Sequence, residues 1–460
     1  MSIEPQHFHH VLVGTGQATG TLIAGLPDDE SIAVIEGGAV GGTCVNVGCT
    51  PTKALVAAAR VAQFARRAGA YGVDVGNVSV DFPAAMARMN EVRHGSRDGL
   101  TRYLAQKPNV TLIRGWAAFT APRTVRVGET LVRGEHVYLN VGARAVKPAI
   151  DGLDDVPWLD NASVLDLDAL PAHLVIIGGS YIALELGQVF LRFGARVTVV
   201  EAGSRFLARE DADVADGVRQ ALEAEGLTIE VGTGVRRVEP LGEGVRVELA
   251  DGRQVDGSHL LVATGRRPNT DGLGLEAAGV ATDDRGYVVV DGRTRTSAEG
   301  VFALGDVNGR GAFTHTSVHD AQVVLDHLQG AHDPRTIDER PTVYALFTDP
   351  PLGRVGLTES QALAAGHRVL RATKAMRTIS RAKEMGETQG FVKVLVDADD
   401  DRFLGASVLG VGGDEIVNLF AVAMTAGMTT AQFRRAVLVH PTVSELMPWV
   451  LAGLRPVEAA

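Results

Sequence analysis

The sequence predicts an α/β chain of two Rossmann-like dinucleotide-binding units followed by a C-terminal α+β unit. An apolar strand runs into a glycine turn and a helix at Val11–Gly20, and the same pattern returns at Leu174–Glu201. From Pro341 the texture changes, with strands preceding helices. The length of 460 residues exceeds what one core supports and fits about three domains. The 54 glycines suit many tight strand-to-helix turns.

Composition excludes several classes. A formal net charge of −11 with no basic face disfavours nucleic acid as a partner. No uncharged apolar run reaches the length of about 18 residues that a membrane span needs. The polar start Met1–His10 lacks a basic region followed by an apolar run, so no secretory signal is expected. With only two cysteines, the chain is expected in a reducing cytoplasm.

In the first unit, Val11–Val13 leads to Gly14-x-Gly16, a helix is expected over Gln17–Leu26, and strand Ser31–Ile35 stops at Glu36. Gly14 makes the turn, and Gly16 admits a pyrophosphate to the helix N-terminus, which Gln17 and Ala18 open. Glu36 stands where an acid accepts ribose hydroxyls. Thr19 replaces the usual third glycine, so helix and strand are expected to sit slightly further apart.

Gly41–Lys53 reads Gly-Gly-Thr-Cys-Val-Asn-Val-Gly-Cys-Thr-Pro-Thr-Lys and holds both cysteines. A Cys44–Cys49 bond would close a very small ring, poor as a staple and suited to a redox switch. Most close cysteine pairs met in isolation are instead two buried thiols that behave as small hydrophobes. The flanking Gly41, Gly42 and Gly48, and the Lys53 cation that favours a thiolate, support the redox reading.

Helices are then expected over Thr52–Gly69 and Val80–Leu104, and an antiparallel excursion over Val110–Asn140. Residues 138–142 return the chain to the first unit, and the proline-bearing stretch 146–172 crosses to the next. There, Leu174–Ile177 precedes Gly178-Gly179-Ser180, a helix over Tyr181–Phe193 and a strand ending at Glu201. Ser180 replaces the second glycine of the fingerprint. Glu201 repels a 2′-phosphate, which favours NADH, while nearby Arg205 and Arg209 keep NADPH as the alternative. Leu260–Asn269, which contains Gly265, closes this unit.

A buried strand ends at Gly305-Asp306, whose acid suits a polyol hydroxyl or a turn cap. The helix expected over Ser317–Gln329 offers its N-terminus to developing negative charge. The C-terminal unit has expected strands Val343–Phe347, Phe391–Val396 and Leu404–Leu409, and helices Glu415–Ala426 and Thr430–Ala436. Near its end, His440 precedes Glu445 by five residues, a spacing that lets the acid orient the imidazole.

From Val11 to Glu445 these pieces resemble, in order, the flavoprotein disulfide reductases: dihydrolipoamide dehydrogenase, glutathione reductase and mercuric reductase. The Gly-Gly-Thr-Cys-x-Asn-x-Gly-Cys-x-Pro-x-Lys stretch carries the likeness most specifically. The resemblance implies an FAD domain over 1–150, an inserted NAD(P) domain over 151–270, a central part over 271–335 that rejoins the FAD domain, and a dimerisation domain over 336–460.

By the same likeness, Cys44 is the interchange thiol and Cys49 the thiol beside the flavin. Lys53 pairs with Glu185, and His440, braced by Glu445, is the acid–base reaching Cys44 of a second copy, which makes a homodimer obligatory. Gly14, Gly16, Gln17, Ala18, Glu36, Gly42, Thr43, Lys53, Ala117, Gly142, Asp306, Thr314 and His315 contact FAD. Gly178, Ser180, Tyr181, Glu201 and Gly265 serve NAD, with Tyr181 covering the flavin until nicotinamide displaces it. No resident metal is implied.

The acceptor expected is a small disulfide or dithiol. Mercuric reductases of this type carry a further C-terminal cysteine pair, absent from Leu454–Ala460, although the glycine motifs look closest to mercuric-reductase-like members. A metal-ion reductase using Cys44 and Cys49 alone is the runner-up, and a component of a larger dehydrogenase complex is the alternative from another class. Glutathione is disfavoured because Gln17–Leu26 lacks the arginine that glutathione reductases place there.

Overall fold

The computed structural model describes residues 4–457; the first three residues of the polar start and the last three of the cysteine-free end lie outside the described residues. In the first sheet, parallel strands Val110–Arg114, Ile32–Glu36, Gln6–Val13 and Thr130–Leu139 are neighbours in that order, and Val301–Ala303 adds to the last. Val11, Leu12 and Ile32–Val34 are fully buried, as expected for parallel strands covered on both faces. Thr130–Leu139 is long enough to serve two layers. Its first half also pairs antiparallel with Thr124–Val127, which pairs with Ala117–Ala121. The excursion therefore begins at Ala117: Val110–Arg114 belongs to the parallel sheet, in register with Ile32–Glu36.

The cysteine stretch forms two helices, Gly42–Val47 and Cys49–Arg67, broken at Gly48. The second starts three residues before the expected Thr52 because Pro51 lies in its first turn, where a missing N–H costs nothing. The next helix, Phe82–Gln106, is capped by the Asp81 side chain on the Ala84 N–H.

The second unit has four parallel strands, ordered Thr228–Val231, Arg196–Glu201, His173–Ile177, His259–Val262. Its helix spans Tyr181–Phe193, as the sequence predicts. An antiparallel meander, Val235–Leu241, Gly244–Leu249 and Gln254–Gly257, was not anticipated, although Gly244–Leu249 alternates buried and half-buried residues. Ala143–Ala145 and Arg266–Pro268 pair antiparallel where the chain leaves for this unit and returns.

The C-terminal sheet is antiparallel, ordered Val343–Leu346, Leu352–Gly356, Phe403–Leu409, Phe391–Asp397, Val369–Ala375, Arg455–Pro456. Helix Gly413–Thr425 buries Ile416, Val417 and Phe420 against it. Strands Leu352–Gly356, Val369–Ala375 and Arg455–Pro456 and the short helix Glu359–Ala364 escape the sequence reading, so helices are interleaved with strands here. One core cluster joins Leu55 and Ala59 of the cysteine helix, Phe82 and Met89 of the following helix, Phe190 of the second unit and Leu346 of the third. It seats the cysteine helix against the second nucleotide unit. Truncating Phe190 there is expected to cost about 3–5 kcal/mol.

Candidate functional site

Backbone crowding builds the first nucleotide turn. Gly14 has φ +94°, and a Cβ on it would lie 2.5 Å from the Asn140 carbonyl oxygen; one on Gly16 would lie 2.3 Å from Asn140 Oδ1. No side chain caps the Gln17–Gly25 helix and its first turn carries no acid, so its N–H groups face a space that suits a pyrophosphate. Gln17 donates Nε2–H to the Gly41 carbonyl and Ala18 is buried. Buried Thr19 satisfies its hydroxyl on the Gly14 carbonyl, at 3.0 Å. Glu36 accepts from Thr15 N at 2.9 Å and Gly38 N at 2.7 Å.

The second turn repeats this chemistry. Gly178 has φ +103°, a Cβ there would lie 2.5 Å from the Ala263 carbonyl oxygen, and the Tyr181–Phe193 helix is likewise uncapped by the Ser180 side chain. Glu201 accepts from Gly179 N at 2.7 Å and Gly203 N at 2.6 Å. Arg205 is turned to the Glu210 carbonyl. The glycine cradles, open helix N-termini and paired acids fit two dinucleotides.

Between the turns lie the thiols. A Cβ on Gly48 would sit 2.8 Å from the Thr43 carbonyl oxygen, so only glycine lets the two short helices approach closely enough to bring Cys44 and Cys49 together. Both sulfurs are free, and Cys49 is the more exposed. The Cys44 thiol hydrogen bonds to Cys49, which lowers Cys49 to about 6. The Thr314 hydroxyl, 3.6 Å away, and the Lys53 charge add to that effect. Cys44 moves the opposite way: its bond to Cys49 and burial keep it protonated. The pair is thus split into one thiolate and one thiol.

Lys53 Nζ lies 2.6 Å from Glu185 Oε2 and 4.6 Å from the Phe347 ring centroid. The other Glu185 oxygen accepts the Phe347 N–H at 2.9 Å. Thr314 opens its helix three residues earlier than expected, because Thr316 Oγ1 receives the Phe313 N–H. His315 donates Nε2–H to the Val343 carbonyl at 2.7 Å, and burial lowers its imidazole. Burial raises the Tyr181 phenol.

Asp306 is held by Arg266 Nη1 at 2.5 Å, and the same guanidinium reaches Thr43 Oγ1 at 3.4 Å and the Ala143 carbonyl at 2.6 Å. Burial raises the Asp306 carboxyl against that cation's pull. Gly142 and Gly265 lie at the paired crossing: Gly142 accepts from Asn269 N and Gly265 from Val146 N, both at 3.0 Å.

The sequence reading missed Arg266, although Gly265-Arg266-Arg267-Pro268 ends a buried strand as such a residue would. It also missed Asp320, 1% exposed, which accepts from Gly305 N at 2.8 Å, Asn308 Nδ2 at 2.9 Å and Arg340 Nη1 at 2.6 Å. This carboxylate fixes the turn that carries Asp306. Trp116, 81% exposed, precedes the buried Ala117 and covers Gly37 beside Glu36; a tryptophan directly after Gly115 was its sequence signal.

His440 Nδ1 lies 2.9 Å from Glu445 Oε2, and its side chain is 77% exposed. In the same segment of the chain, Val437, Val439 and Trp449 are exposed apolar residues. Among the described residues, no group of three or more His, Cys, Asp or Glu side chains is placed to hold a metal. No helix among them is long and apolar enough to cross a membrane.

Residues 8–322 match the family model described as pyridine nucleotide-disulphide oxidoreductase, and residues 342–451 match that family's dimerisation domain, which supports a homodimer. The chain is 37% identical over 446 residues to the probable pyridine nucleotide-disulfide oxidoreductase RclA of Escherichia coli, covering 95% of this chain and 97% of that protein. It is 35% identical to a mercuric reductase of Streptomyces lividans (95% and 94% covered) and 34% identical to dihydrolipoyl dehydrogenase 2 of Haloarcula marismortui (92% and 91%). A solved Cu(II) complex of the HOCl-induced flavoprotein disulfide reductase RclA from Escherichia coli superposes with a TM-score of 0.88 at 36% identity, covering 97% of this chain and 99% of the other.

Proposed function

Because this chain belongs to the pyridine nucleotide-disulphide oxidoreductases, which use FAD and NAD(P)H, we propose that Cys44 and Cys49 pass reducing equivalents to a small disulfide or dithiol. Gly14, Gly16, Gly42, Thr43, Glu36 and Asp306 would hold FAD, and Gly178, Ser180 and Glu201 the nicotinamide nucleotide. The bound pair supplies hydride transfer. Glu201, with both oxygens on backbone N–H groups and Arg205 turned away, favours NADH.

The residues then divide the work. Cys44 is held as a thiol, so it needs a base before it attacks one sulfur of the acceptor. His440, reaching from a second copy, takes that proton and returns it to the departing thiolate as the acceptor's S–S bond breaks. The Cys49 thiolate attacks Cys44 in the mixed disulfide, which closes the Cys44–Cys49 bond and releases the second thiolate for protonation. The hydrogen bond from Cys44, the Thr314 hydroxyl and the Lys53 charge keep Cys49 ionised, and Glu185 holds Lys53 in place. The observation that carries a disulfide acceptor is the exposed His440 with its Nδ1 on Glu445, since thiol exchange requires proton management.

A second reading, reduction of a metal ion by Cys44 and Cys49 alone, draws support from the likeness to mercuric reductase and to a reductase solved with Cu(II). A reducing cytoplasm suits two free thiols. The test is a panel of small disulfides and metal ions assayed with NADH and NADPH, using wild-type enzyme and Cys44→Ser. Disulfide turnover with NADH, lost in Cys44→Ser while artificial acceptors still oxidise NADH, supports the reading. Undiminished disulfide turnover in that variant sinks it.

A further inference from the structure

Tyr181 opens the helix of the second nucleotide unit, yet its ring packs against residues of two other regions. The Phe313 ring lies 5.7 Å from it, centroid to centroid, tilted by 42°. Phe313 in turn stacks on Tyr344 at 5.5 Å and 10° between planes, and on His315 at 5.4 Å and 8°. Tyr344 belongs to the edge strand Val343–Leu346 of the C-terminal sheet. Its hydroxyl donates to Glu210, a carboxyl 5% exposed in the loop that follows Glu201. Glu210 also faces Arg354 at 3.6 Å, and both side chains are nearly inaccessible to water.

The aromatic chain therefore runs from Tyr344, tied to the loop that follows the ribose acid Glu201, to the residue read as the flavin's cover. A buried hydroxyl-to-carboxyl hydrogen bond fixes its far end, and a buried group of this kind is costly to leave unpaired. Rings in contact limit one another's positions, so anchoring Tyr344 restricts where Phe313, stacked on it, and through it Tyr181, packed at a tilt, come to rest.

We propose that Tyr344, anchored on Glu210, is a positioning residue that holds Tyr181 over the flavin through Phe313. It thereby sets how readily nicotinamide gains access. The inference rests on the reading of Tyr181 as the displaceable cover. A nucleotide that enters only when the cover is displaced binds with an affinity reduced by the fraction of time the cover is open. Loosening the anchor raises that fraction.

The test measures flavin reduction in the holoenzyme against NADH concentration by stopped flow, which separates the NADH dissociation constant from the limiting rate. Tyr344→Phe removes only the hydroxyl, and is expected to lower the dissociation constant by about 3- to 10-fold at nearly unchanged limiting rate. Phe313→Leu, which cuts the stack without touching Glu210, must give a shift of the same sign. Tyr181→Ala must lower the constant at least as far, and adding Tyr344→Phe to it must produce no further change. A Tyr181→Ala enzyme with wild-type NADH binding would overturn the cover reading itself. If Tyr181→Ala shifts binding while Tyr344→Phe does not, or if the Tyr344→Phe effect survives in the Tyr181→Ala background, the positioning role is overturned and the cover stands.

Discussion

Replacing Lys53 by methionine tests the electrostatic core of the site, because it keeps the length of the side chain and removes its charge. Lys53 Nζ is the cation 2.6 Å from Glu185, whose side chain is 3% exposed, and among the described residues that carboxylate's one other hydrogen bond is from the Phe347 N–H. Removing one partner of a buried pair costs roughly 3–5 kcal/mol. Lys53 itself is 32% exposed, so water reaches the pair and the cost falls to about 2–3 kcal/mol. For a chain of 460 residues that lowers the thermal midpoint of the holoenzyme by about 2–3 °C.

The same change removes a charge that stabilises the Cys49 thiolate, so the pH midpoint of Cys49 alkylation in the reduced enzyme rises above its wild-type value of about 6. Glu185→Gln moves that midpoint the other way, because the Glu185 charge opposes thiolate formation. Lys53→Met combined with Glu185→Gln recovers most of the lost stability, since no buried charge is left alone. Differential scanning calorimetry and alkylation followed by mass spectrometry read the two effects. A wild-type melting midpoint in Lys53→Met, together with an unmoved Cys49 titration, would refute the argument.

Cys44→Ala removes the largest cause of the low Cys49 value, so its alkylation midpoint rises from about 6 towards the ordinary thiol range. In the wild-type enzyme, lowering the pH through about 6 protonates Cys49 and slows its alkylation; a flat profile from pH 5 to 8 would contradict this. Asp320→Ala strands the Gly305 and Asn308 donors and the Arg340 cation, at a cost of about 3 kcal/mol. It is expected to release FAD, seen as a lower ratio of flavin to protein absorbance. His440→Gln should cut disulfide turnover by about 100-fold or more while leaving NADH oxidation by artificial acceptors intact, and equal losses in both assays would remove the acid–base role.

Local pattern determined much of this protein. Glycine turns between apolar strands and helices located both nucleotide units, since the tight turn, the open helix N-terminus and the acid beyond the second strand are encoded within one short stretch. The cysteine stretch was legible for the same reason: its chemistry lies between Gly41 and Lys53. Tertiary structure decided what depends on residues far apart in sequence. Thr130–Leu139 serves two layers, the meander at 235–257 exists only as paired strands, and the C-terminal sheet interleaves helices, none of which single-strand periodicity reveals.

The site divides in the same way. Lys53–Glu185 was readable only through a likeness; Arg266 had a local signal but not its bridge from Asp306 to Thr43, and Asp320 pinning the Gly305 turn and Tyr344 reaching Glu210 carried no sequence mark. A hydrogen bond or ion pair between distant segments costs nothing to either segment's local pattern, so the sequence does not display it. The split of Cys44 and Cys49 into thiol and thiolate belongs to that second class: it arises first from the hydrogen bond between the two sulfurs, then from burial of Cys44 and from Thr314 and Lys53 beside Cys49.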